Sequence, residues 1–86
     1  MLKYTKPFLE SLEQIIAEID YSLRYEKGNF KSGYCLLNES KVIVINRYFT
    51  LEGKIASLAE IIRVVPFDEA LLSEKSKKRL LELRAA

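Results

Sequence analysis

Between Ile19 and Tyr21 the apolar residues change their spacing, and by Leu51 they have changed it back. From Pro7 to Asp20 they fall at Phe8, Leu9, Leu12, Ile15, Ile16 and Ile19, the three-and-four spacing of one helical stripe. Thr5 suits the N-cap, and Pro7 suits a first turn whose N–H groups have no helical partner. Tyr21, Leu23 and Tyr25 then alternate with Ser22, Arg24 and Glu26, the period of a strand buried on one face. Lys27-Gly28-Asn29 makes a turn, Phe30 is an apolar anchor in the loop, and Gly33 opens a second strand, Tyr34-Cys35-Leu36-Leu37. After the turn Asn38-Glu39-Ser40-Lys41 comes a third strand, Val42-Ile43-Val44-Ile45, β-branched throughout. Thr50 caps a second helix, Leu51 to Val65, with Leu51, Ile55, Leu58, Ile62 and Val65 inward and Pro66 as its stop. Residues 66–86 read as a turn and a short helix, with Ser73 as N-cap and Leu80 and Leu83 buried.

This order, α-β-β-β-α with a further helix, predicts an α+β fold of two layers. Short loops predict a three-stranded antiparallel meander with the helices packed on one face. At 86 residues there is one domain, 1–86, and one core. Its 49% hydrophobic and 30% charged residues suit a folded chain rather than a disordered one.

The third strand sets a problem for that arrangement. Val42 and Val44 point one way, Ile43 and Ile45 the other, yet the helices cover a single face. Ile61 and Val64 also fall outside the main stripe of the second helix. Either the C-terminal segment covers these residues or a second copy of the chain does. Ile61 and Val64, with the Arg47-Tyr48 pair at the exit of the third strand, are therefore the candidate interaction residues. Tyr48 is the aromatic best placed for an exposed contact, whereas Tyr21 and Tyr25 alternate with Leu23 and read as packing.

The chain carries no histidine and one cysteine, Cys35. That argues against imidazole acid–base chemistry, the common nucleophilic triads and histidine-containing zinc sites. Cys35, in mid-strand, has neither a helix end nor a histidine to lower its pKa and reads as a small sheet residue. Glu10 and Glu13 lie opposite the apolar stripe, a solvated helix face, and Glu52 and Glu60 have the same character. Phosphate-binding glycine loops and calcium loops are absent from the sequence. The expectation is no catalytic residue, no metal and no cofactor.

A net charge of +2 does not by itself call for a polyanion. The excess sits in Lys75, Lys77, Lys78 and Arg79, four cations that nucleic-acid phosphates would accept, although Glu69, Glu74 and Glu82 dilute them. The α-β-β-β-α order is also that of double-stranded-RNA-binding domains, but the position of their basic cluster holds Leu51-Glu52-Gly53-Lys54. The longest apolar run, Val42 to Ile45, is far short of the ~20 residues of a membrane span, and Glu10 and Glu13 interrupt any signal-peptide pattern. A lone cysteine and these absences make the cytoplasm the expected location.

Over Ile15 to Ile62, the chain resembles the N-terminal half of the ImmA/IrrE-type zinc peptidases. The stretches that carry the likeness are a Gly-x-Cys-like strand at Gly33-Tyr34-Cys35, an I-x-I-N-like strand at Val42-Ile43-Val44-Ile45-Asn46, and the helix segment Ser57-Leu58-Ala59-Glu60-Ile61-Ile62-Arg63-Val64. In that register Glu60 and Val64 stand where the family has its two zinc-binding histidines, and Ile61 stands where it has its catalytic glutamate. The resemblance implies a shared scaffold without the zinc or the peptidase chemistry. The function expected is thus a non-enzymatic, intracellular protein–protein interaction domain whose partner is another protein or a second copy. A nucleic-acid accessory role through Lys75, Lys77, Lys78 and Arg79 ranks second.

Overall fold

The computed structural model describes residues 3–28, 33–37 and 40–85. Helix α1 (Lys6–Glu18) is followed by strands β1 (Ser22–Glu26), β2 (Gly33–Leu37) and β3 (Ser40–Asn46). Helix α2 (Leu51–Val64), a single 3-10 turn (Glu69–Leu71) and helix α3 (Glu74–Ala85) complete the chain. Asn29, Phe30, Asn38 and Glu39, the loop and turn residues, lie outside the described residues, as does the side chain of Cys35.

The helix ends are set locally. The Phe8 N–H donates to Thr5 Oγ1 at 3.3 Å, and the Gly53 N–H to Thr50 Oγ1 at 3.1 Å. Ser76 N–H does the same to Ser73 Oγ at 3.2 Å, so all three hydroxyl residues cap as their positions suggest. Helix α1 stops because Asp20 takes a left-handed conformation, φ 66°, which lets the Tyr21 N–H reach back to the Ile16 carbonyl at 3.3 Å. Aspartate tolerates this region better than most residues, through its short polar side chain.

The class is α+β, but the sheet is not an antiparallel meander. Its order is β1-β3-β2, with β1 parallel to β3 and β2 antiparallel to it. The register pairs Ser22 with Val42, Arg24 with Val44 and Glu26 with Asn46, while Tyr34 and Cys35 of β2 stand opposite Ile43 and Val42. The most apolar strand takes the middle, where both of its edges are hydrogen-bonded, and β1, with a polar residue at every second position, takes an edge.

Ile43 and Ile45 are fully buried beneath Phe8, Leu12, Ile15, Ile16 and Ile19 of α1 and Ile55, Leu58, Ala59, Ile61 and Ile62 of α2. Leu72, Leu80 and Leu83 close this core from the C-terminal segment. Tyr21 is buried at its margin and donates its hydroxyl to the Pro66 carbonyl at 3.0 Å, tying the start of β1 to the end of α2. On the opposite sheet face Ser22, Arg24 and Glu26 are exposed, and Val42 and Val44 are only half-buried.

Candidate functional site

The candidate interaction residues separate. Ile61 retains only 6% of its exposure and belongs to the core that Leu72, Leu80 and Leu83 complete, so it offers no surface. Two bonds fix the C-terminal segment: Arg63 donates from Nε and Nη2 to the Leu83 carbonyl at 3.1 and 2.8 Å. Val64, one residue further along α2, stays 58% exposed. Tyr48 is 69% exposed but precedes the other end of that helix. Fourteen helical residues span ~20 Å, so Val64 and the Arg47-Tyr48 pair belong to different parts of the surface.

Arg47 and Tyr48 instead form the turn that follows β3. The Arg47 N–H donates to the Glu26 carbonyl at 2.8 Å, adding one bond to the β1–β3 pairing. Asn46, buried between the loops, donates from Nδ2 to the Gly28 carbonyl at 3.0 Å and accepts from the Tyr48 N–H through Oδ1 at 3.0 Å. Asn46 thus clamps the exits of β1 and β3 together, a role that its place in the Ile-Asn pattern does not disclose. The face beside this clamp has Val42 and Val44 at its centre and Arg24 and Glu26 along one side. Arg24 and Glu26 approach within 4.0 Å, with side chains 66% and 52% exposed. A pair so open contributes a few tenths of a kcal/mol and leaves both charges available to a partner.

Two of the four cations in the basic cluster are paired. Lys77 lies 3.7 Å from Glu74, and Arg79 donates to Glu82 at 2.9 Å while stacking 4.5 Å above the Phe8 ring. Lys75 and Lys78 border an open groove of about 920 Å³ between α1 and α3, whose walls also carry Glu10, Glu18 and Glu82. Three carboxylates and three cations line it, so the charges a phosphate backbone would meet there offset one another. Glu18 also holds α3 in place: it accepts from the Ser73 N–H at 2.8 Å and from Gln14 Nε2 at 2.8 Å. The Ser73 bond, chiefly, and the Gln14 bond hold its carboxyl below the usual carboxylate range.

No protein-family model, curated protein or solved structure matches this chain.

One convergence of ionisable groups is not evident from the sequence. The Tyr25 hydroxyl donates to Glu13, and Lys54 Nζ stands 5.4 Å from the centre of the Tyr25 ring. Partial burial, then the hydrogen bond and the charge of Glu13, raise the phenol well above its ordinary value. A phenol held this way stays protonated at neutral pH, so it can donate a hydrogen bond but not serve as a base or a nucleophile. Glu13 is therefore a tertiary partner rather than part of a solvated face with Glu10. The sequence contains one usable signal: Tyr25 shares the inward parity of Leu23. Which helical residue it meets depends on how α1 lies across β1. In the peptidase register, Glu60 and Val64 are both exposed and Ile61 is in the core. Among the described residues no three His, Cys, Asp or Glu gather as a metal-ligand group, and no helix is long and apolar enough to cross a membrane.

Proposed function

We propose that this chain is a non-enzymatic interaction domain of the cytoplasm that binds another protein through the open face of its sheet. Its likeness to a zinc-peptidase scaffold fits a frame kept for binding rather than for chemistry. The observation that carries this reading is the position of Val42 and Val44: the central strand presents half-buried valines on the face away from all three helices. Apolar side chains set among charged neighbours are the usual composition of a contact surface. The nucleic-acid alternative draws less support, because Lys77 and Arg79 are paired and Lys75 and Lys78 share their groove with carboxylates.

Affinity capture from the source cells, with the wild-type chain and two variants as baits, tests the proposal. A protein retained by wild type and by Val64→Glu, but about tenfold less by Val44→Glu, supports it, provided the circular-dichroism spectra agree. Equal retention by Val44→Glu contradicts it.

A further inference from the structure

We infer that the free edge of β1 is a seam for a second copy of this chain, the two β1 strands pairing antiparallel about a two-fold axis at Tyr25. The seam uses the edge of β1 rather than the valine face proposed above, and it stands on separate observations.

The backbone supplies the first support. Strand β1 borders only β3, which leaves its other edge without a strand among the described residues. The bond from the Arg47 N–H to the Glu26 carbonyl shows that Glu26 turns its backbone groups toward β3. In a parallel pair these groups alternate along the strand, so Ser22 and Arg24 face β3 as well, and Leu23 and Tyr25 direct their N–H and C=O groups outward. A two-fold axis at Tyr25 sets Tyr25 opposite its own counterpart as a hydrogen-bonded pair. The outward-facing donors and acceptors are therefore those that this register uses. Arg47 Nη2 is within hydrogen-bond reach of the Tyr25 carbonyl, but at 3.5 Å, weak enough to yield to a backbone donor at ~2.9 Å.

Charge supplies the second, independent support. The same axis places Arg24 of each copy opposite Glu26 of the other, twice, in the non-hydrogen-bonded positions where cross-strand side chains come closest. The segment Arg24-Tyr25-Glu26 is thus its own electrostatic complement when reversed, which a strand merely protected by like charges would not be. Leu23 and Tyr25 pack against the core yet remain half-buried at this edge, and a partner strand covers them.

Light scattering and sedimentation on the full chain, from 10 to 100 µM (roughly the range for micromolar affinities), read the outcome. Wild type is expected at twice the 10.0 kDa chain mass at the upper end. Arg24→Glu and Glu26→Arg each put like charges opposite one another, and each is expected to weaken dimerisation about tenfold with an unchanged circular-dichroism spectrum. Mixing the two variants restores the dimer, because the carboxylate introduced at position 24 of one then meets the guanidinium introduced at position 26 of the other. The double variant restores it alone. A wild-type chain that stays monomeric throughout overturns the seam. So does a dimer indifferent to both substitutions, or one that mixing fails to rescue. A monomeric wild type that still captures a different protein through Val44 would sink the seam alone; loss of that capture beside an intact charge-swap result would sink only the open-face reading.

Discussion

Tyr25 carries more of the molecule than its place on an edge strand suggests. Its ring packs against the core, its hydroxyl donates to Glu13 on α1, and Lys54 of α2 approaches its face, so one side chain links β1 to two helices. Replacing it with phenylalanine keeps the packing and removes the bond, at a cost of about 1 kcal/mol at neutral pH. The pH dependence follows from the direction of its shift. Because the folded phenol holds its proton more tightly than the unfolded one, its contribution is fully present below about pH 10. It is lost as the pH climbs past that value toward the raised folded one. Urea unfolding between pH 8 and 11 (roughly, spanning the ordinary tyrosine value) is expected to show a shallower alkaline decline for Tyr25→Phe than for wild type. Parallel declines would remove Tyr25 from this account.

Among the elements, local chemistry is legible in the sequence and long-range choice is not. Thr5, Thr50 and Ser73 cap their helices because capping depends on residues three apart, all visible in the sequence. Pro66 follows the end of α2 for the same kind of reason. The order of the strands depends on which strand buries best between two others, and a rule that short loops join neighbours does not capture it. The doubly apolar β3 is the clue: a strand of that composition belongs in the centre. Ile61 falls outside a stripe of α2 drawn against the sheet alone, but inside one that includes α3 beside it. The two faces of β3 should differ in energy as they do in burial. Ile43→Ala is expected to cost about 2–5 kcal/mol, and Val42→Ala about 1 kcal/mol or less; similar losses in urea midpoint would mean that both faces are covered. The docking of α3 has a pH signature. Glu18, held below the ordinary carboxylate range, contributes above about pH 4.3, and that contribution fades as the pH falls through its lowered folded value. Thermal unfolding between pH 6 and 3 (roughly, bracketing that range) should show a smaller acid loss for Glu18→Gln than for wild type, and equal losses would rule out this clamp.

Among the described residues, the helices pack on one side of the sheet and none covers the other. Ile61, an apolar residue that the sequence leaves without a lid, is satisfied within the chain, whereas the half-buried Val42 and Val44 are not covered by any helix. The charged residues follow the same division: the α1–α3 side mixes carboxylates with cations, and the open side sets one arginine and one glutamate beside the valines. The surface proposed for binding is therefore the sheet and not the basic helix. Photo-crosslinking in living source cells, with the reactive group placed in turn at Val44, Val64 and Lys78, tests this most directly. The account predicts protein adducts from Val44 and background levels from the other two positions. Nucleic-acid adducts from Lys78, or protein adducts from Val64 alone, would contradict it.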